Sequence, residues 1–151
     1  MSTPRSVRLD SVIEERFESF LARHQGLNGS AALNRLIDEG IRMDLVPGVH
    51  FRDGVQGRRA ALVGGPEIWE VASVVRAART LNDASEDQEV LSRVLETTSL
   101  SVGQLDTALN YWAQFAEEID QLVDLAWAEE DRLIAIEASK KTLIRGERVT
   151  S

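Results

Sequence analysis

The first regularity along the chain is a two-residue alternation. In RSVRLD, residues 5–10, Val7 and Leu9 fall on one side and Ser6 and Arg8 on the other, which predicts a short strand. The period then becomes helical. Ser11 reads as a cap with Glu14 three places on, a capping-box spacing, and Asp10 competes for the same role. Val12, Ile13, Phe17, Phe20 and Leu21 recur at helical spacing as far as His24-Gln25-Gly26, where Gly26 suits a left-handed helix end. Asn28 caps a second helix that carries Ala32, Leu33, Leu36, Ile37 and Ile41 on one face and stops before Pro47-Gly48. Residues 1–46 therefore read strand, helix, helix.

Such a segment cannot stand alone. One strand of about six residues has no partner within it, and its backbone groups need pairing. Fewer than about 50 residues also bury too little apolar surface for a stable monomer. A second copy solves both problems: two strands pair antiparallel, and four helices close over Val7, Leu9 and the Phe residues.

The grammar changes after residue 47. Asp53-Gly54 and Gln56-Gly57 are turn signals between strand-like pieces at Val49–Phe51 and Arg59–Val63. Gly64-Gly65-Pro66 opens a helix with Pro66 at its first position, and Ile68, Trp69, Val71, Ala72 and Val75 give it an apolar side. Residues 82–88, NDASEDQ, are a polar break. A helix with Val90, Leu91, Val94 and Leu95 follows, and Thr98–Ser101 ends it. Ser101 caps the next helix, which carries Val102, Leu105, Leu109, Tyr111, Trp112 and Phe115. Trp112, Phe115, Ile119, Leu122, Ala126, Leu133 and Ile136 then fall at alternating spacings of three and four, a heptad seam with Glu129 as its polar interruption. Val123, Trp127 and Ile134 widen the seam, and Glu117, Glu118, Asp120, Asp124, Glu130 and Asp131 occupy the opposite face. Residues 145–151 read as a frayed tail.

Charge refines this division. The net charge of −8 argues at first against nucleic acid, but residues 81–151 hold fifteen acids against six Lys/Arg. Residues 1–46 are nearly balanced and residues 47–80 carry a small positive excess, so the acidity belongs to the C-terminal half. The chain has no cysteine and two histidines, His24 and His50, which removes disulfides, thiolate sites and histidine clusters. No apolar run approaches the roughly 18 residues of a membrane span, and MSTPRSVRLD has no signal-peptide core, so a cytoplasmic protein without membrane contact is expected. No carboxylate pair sits beside a histidine, a phosphate loop or a metal-ligand spacing. No enzymatic chemistry, cofactor or metal is expected, and the two histidines read as surface or structural residues.

SVRLD, the amphipathic stretch to His24 and GLNGSAALNRLIDEGI together resemble the ribbon-helix-helix family of DNA-binding proteins, over about a third of the chain. The resemblance implies a homodimer that lays its paired ribbon in the major groove of operator DNA. Ser6 and Arg8 would meet base edges, and Arg5, at the ribbon end, a phosphate. The outward positions on either side, Pro4 and Asp10, offer little to DNA. Asn28, Gly29 and Ser30 begin the second helix, where free N–H groups and the helix dipole favour an anion such as a DNA phosphate. The plainer alternatives are a ribbon used only for dimerisation and an ordinary well-capped helix.

FRDGVQGRRAALVGGPEIWEV and LSVGQLDTALNYWAQFAEEID, within residues 48–122, resemble a bacterial family known as domain of unknown function 433. That resemblance implies a small helix-turn-helix-like antitoxin domain whose partner is a PIN-like nuclease toxin. The expected fold is then mainly α. A ribbon-helix-helix (one strand, two helices, dimeric) fills residues 1–46. A hairpin plus helix-turn-helix-like domain fills 48–115, and a long C-terminal helix, residues 116–144, contacts a partner or an oligomer mate. The apolar stripe Ala126, Trp127, Leu133, Ile134 and Ile136 would bind the toxin, with the acidic face suiting a basic nuclease. Packing of that stripe onto residues 68–115 or onto a dimer mate is the alternative. Arg52, Arg58 and Arg59 could touch phosphates, but pairing with the chain's own acids or with a partner is favoured. The function so implied is an antitoxin that represses its own operon; a stand-alone regulator whose second domain oligomerises or binds a ligand is the rival.

Overall fold

The structure, a computed structural model, describes residues 3–81 and 86–146. Most of the polar break expected at 82–88 and the end of the tail lie outside the described residues. The described residues are mainly helical. They form two compact units, Met1–Asp44 and Leu45–Ser151.

The first unit holds helix α1 (Ser11–Arg23) and most of helix α2 (Gly29–Leu45). Residues 3–10 precede them without regular secondary structure, so the strand expected there is not formed in the single chain. A strand needs a second backbone to pair with, and the described residues of the unit offer none. Asp10, extended at φ −66 and ψ 148, is the N-cap of α1, and Ser11 is the first helical residue, so the capping box on Ser11 is not made. The helix ends at His24, whose Nδ1 lies 2.9 Å from the Phe20 carbonyl oxygen and whose ring stacks on Phe20. Gly26 is not left-handed; the histidine contact closes the helix instead. The cap on α2 is as expected, with the Asn28 side chain accepting from the Ala31 N–H at 2.8 Å.

Two short helices cannot cover each other's apolar faces. No residue of α1 is buried. Phe17, Phe20, Leu21 and Leu33 are half-buried, while Val12, Ile13, Leu36, Ile37 and Ile41 remain exposed.

The second unit begins with a hairpin, β1 (Val49–Gly54) and β2 (Gly57–Leu62), paired antiparallel from Val49 with Leu62 to Gly54 with Gly57. Its turn is Val55-Gln56, and Gly57 sits at φ 109, where a side chain would be strained. Helix α3 (Ile68–Leu81) starts two residues later than Pro66 predicts. An extra bridge from Ala61 to Glu67 keeps residues 66–67 extended, and the Pro66 carbonyl accepts from the Leu62 N–H at 2.9 Å. The Glu67 N–H is then satisfied by the Glu70 carboxylate at 2.8 Å.

Helices α4 (Asp87–Thr97), α5 (Val102–Gln114) and α6 (Ala116–Ile144) complete the unit. Ser101 and Gln104 make a full capping box at the start of α5. The seam read through Trp112, Phe115 and Ile119 is not one helix. The chain breaks at Phe115, which ends α5 and begins α6 at φ −127 and ψ 44. The core gathers on α3, which packs against β2, α4, α5 and α6. Ile68, Val94, Tyr111, Ile119 and Val123 are fully buried there. No helix among the described residues is long and apolar enough to cross a membrane.

Ile68→Ala should lower the unfolding free energy of this unit by about 2–5 kcal/mol through the cavity it leaves. Ser101→Ala should cost about 1 kcal/mol by unmaking the cap. Urea titration followed by circular dichroism measures both.

Candidate functional site

The residues expected to meet DNA all lie in the first unit. Arg5, Ser6 and Arg8 are exposed on the segment before α1, and Asn28 and Ser30 are exposed at the start of α2, with Gly29 partly covered. The Asn28 side chain is committed to its own helix. Leu9 differs from its polar neighbours in being half-buried. It lines an apolar groove of about 320 Å³ with Ile13, Phe17, Phe20, Leu33 and Leu36. Val7, its alternation partner, is exposed. The inward and outward sets of the alternation therefore differ in burial only at Leu9.

In the second unit each of the three hairpin arginines has partners within the hairpin and its flank. Arg58 pairs with Asp53 at 3.4 Å across the strand register. Arg52 lies 3.8 Å from Glu67 and donates to the Gly65 carbonyl at 3.3 Å. Arg59 donates to Gln56 and lies over the Trp69 ring at 5.8 Å. Trp69 in turn donates to Glu67. Cross-strand pairing explains the first contact, because directly opposed residues on one face of a hairpin lie within reach of each other.

The proposed partner stripe divides. Trp127 is half-buried and packs on the core, donating from Nε1 to Ser73 Oγ at 2.8 Å. Arg76 covers its ring at 4.7 Å while holding Asp124 at 2.8 Å. The indole is thus engaged within its own chain. Ala126 is partly covered, whereas Leu133, Ile134 and Ile136 are exposed farther along α6. The Ser73–Arg76 clamp escaped the sequence reading. A signal for it exists: Ser73 and Arg76 stand at i, i+3 on α3, and Asp120 and Asp124 at i, i+4 on α6, each pair sharing a helix face.

Beyond the clamp, Arg132 meets Glu129 with two hydrogen bonds at 2.7 and 2.8 Å. The hydrogen bond from Arg132 holds the Glu129 carboxyl below the usual carboxylate range and raises the arginine. A lowered folded-state pKa keeps the pair above that value and breaks it as pH falls through it. Both side chains are exposed, so the pair fixes local geometry more than stability. Among the described residues no group of three or more His, Asp or Glu side chains could hold a metal ion.

No protein-family model matches the chain, and no curated protein or solved structure matches it either. The two family resemblances rest on the residues quoted for them alone.

Trp127→Phe removes one donor and should cost about 0.5–1.5 kcal/mol of stability in the second unit. Ser73→Ala should cost a similar amount, and the double variant little more than either, in a double-mutant cycle read by thermal unfolding.

Proposed function

We propose that this chain is a dimeric DNA-binding regulator of the antitoxin type. The first unit dimerises and reads operator DNA, and the second unit carries protein contacts through α6. The observation that carries this reading is the uncovered apolar face of α1 and α2 beside an exposed segment bearing Arg5, Ser6 and Arg8. Exposed Ile13, Leu36, Ile37 and Ile41 need a cover, and a second copy provides one while supplying the missing strand partner. Pairing two copies of residues 5–10 places two Arg8 side chains and two Ser6 side chains on one face of a ribbon. Arg8 then donates two hydrogen bonds to a guanine edge, and Ser6 donates to or accepts from a neighbouring base. Arg5 and the N-terminal turn of α2 hold phosphates.

The antitoxin part of the reading concerns a basic partner such as a PIN-like nuclease. Ile134 shares a flank of α6 with Glu130 and Asp131, an apolar contact bordered by acid. Acidic borders speed the approach of a basic protein and favour it over acidic ones. Trp127 has an internal role, so Ile134→Asp is the cleaner probe: it should abolish co-purification with the product of a neighbouring toxin-like gene and leave DNA binding intact. The rival reading, a stand-alone regulator whose second unit oligomerises, draws support from the groove beside α6.

The segment 1–46 should sediment as a dimer at micromolar concentration, and a folded monomer would end the ribbon scheme. Arg8→Ala should weaken specific operator binding by about 1–3 kcal/mol and relax base preference. Arg5→Ala should weaken binding to all sequences and flatten its salt dependence. Electrophoretic mobility shift across a salt series separates the two effects.

A further inference from the structure

Past Trp127, the seam of α6 runs beyond the core of the second unit. Ala126, Glu129, Leu133, Ile136 and Lys140 all line an open groove of about 940 Å³, whose other wall is the hairpin turn at Gly54–Gln56 with Arg59 and Trp69. Leu133, Ile136 and Leu143 are exposed. The charges of this helix are segregated by sign. From Ala116 to Asp131 there are seven acids and no Lys or Arg; from Arg132 to Arg145 there are four Lys/Arg and one acid, Glu137.

We infer that the groove is filled by the α6 helix of a second copy of this chain, running antiparallel. Ile134 and Glu130 line this groove too, so a basic protein docked on the Ile134 flank would compete with a second copy. Along the whole groove, a partner of uniform basic charge would be attracted by the first half of α6 and repelled by Lys140, Lys141 and Arg145 in the second. A helix with the opposite charge sequence complements both halves, and α6 reversed is such a helix. Seam positions spaced by three and four match across an antiparallel pair with each layer joining one position of each kind. Leu133 then packs on Ile136 of the partner subunit, and small Ala126 on Leu143 of the partner subunit. Glu129 meets Lys140 of the partner subunit. Parallel pairing would instead oppose Glu129 to Glu129 of the partner subunit and Lys140 to Lys140 of the partner subunit. The charged layers between apolar ones therefore select orientation and register. Glu130 and Glu137 of the partner subunit face each other at the rim, where water and salt screen the repulsion. The overlap from Ala126 to Leu143 is about 26 Å long. That is short for a free-standing coiled coil, and the hairpin wall supplies the additional contact. This inference does not rest on DNA binding.

The chain lacks cysteine, so single cysteines in the full-length protein report the pairing. Glu129→Cys and Lys140→Cys, mixed and oxidised, should give a disulfide-linked dimer that neither gives alone. Equivalent positions in the antiparallel pair stand about 16 Å apart along the axis, beyond disulfide reach. Self-linking of either variant as efficient as linking in the mixture overturns the orientation. No linking in any sample overturns the pairing. A second measurement reads the charges: linking between Ala126→Cys and Leu143→Cys should fall at least fivefold when both chains carry Lys140→Glu, and recover when both carry Glu129→Lys with Lys140→Glu. A swap that keeps the helix content but fails to restore linking also overturns the inference.

Discussion

Burial of α3 is the constraint on which the second unit depends. This helix presents Ile68, Val71, Ala72, Val75 and Ala78 to the interior, and these residues cannot be covered by any single neighbour. The hairpin closes one side through β2, and α4, α5 and α6 close the others. Small residues at 72 and 78 permit close approach of the surrounding helices, which suits a chain with few aromatics. The largest buried side chain, Tyr111, fills the space between α5 and the start of α6, against Phe115 at 4.6 Å and Phe51 at 6.4 Å. The break at Phe115 follows from the same demand. A straight continuation of α5 would carry its apolar side away from α3, whereas a break lets α6 return along it and reach Ser73 and Arg76 through Trp127.

The first unit has no element in the role of α3. Both of its helices are amphipathic, and each can cover only part of the other, so its aromatic residues stay half-buried around an open groove. About 25 cal/mol is gained per Å² of apolar area removed from water. A face that leaves Ile37 and Ile41 each more than half exposed therefore forgoes several kcal/mol unless something covers it. The uncovered face and the unpaired segment 3–10 are two aspects of one deficiency.

Signals that act within one turn were legible in the sequence. The caps at Asn28 and Ser101 appear where local pattern put them. The hairpin forms, with strands that run through Asp53-Gly54, read from sequence as a turn, and stop before Val63. What was not legible depends on distant partners. Pro66 is a good first helical residue by local preference, but the bridge between Ala61 and Glu67 holds it extended. Gly26 is a good left-handed residue, but the His24–Phe20 contact ends α1 without it. The break at Phe115 carries neither glycine nor proline, and the apolar spacing runs through it unchanged. For the candidate site, Arg5, Ser6 and Arg8 are exposed together with Val7, so exposure does not separate the two sides of the alternation, and the internal capture of Trp127 required knowing that Ser73 faces it. Burial patterns record that a residue is apolar, not which surface it meets.

The helix dipole accounts for part of the charge sequence of α6. Acids near a helix N-terminus and bases near its C-terminus both oppose the helix dipole. That effect decays within the first and last turns, so it accounts for Glu117, Glu118 and Lys141 but not for residues in the middle. Asp120 and Asp124 answer to Arg76 on α3. Glu129, Glu130 and Asp131 lie a full three turns into the helix, past the clamp, and only Glu129 has Arg132 as a close neighbour. Lys140 lies beside Glu137 at 3.4 Å, an exposed i, i+3 contact worth a few tenths of a kcal/mol. The change of sign at Arg132 thus exceeds what the dipole or the chain's own pairs require. It falls where the apolar seam loses its cover, at Leu133 and Ile136, so the reversal of charge and the exposed apolar positions share one stretch of helix.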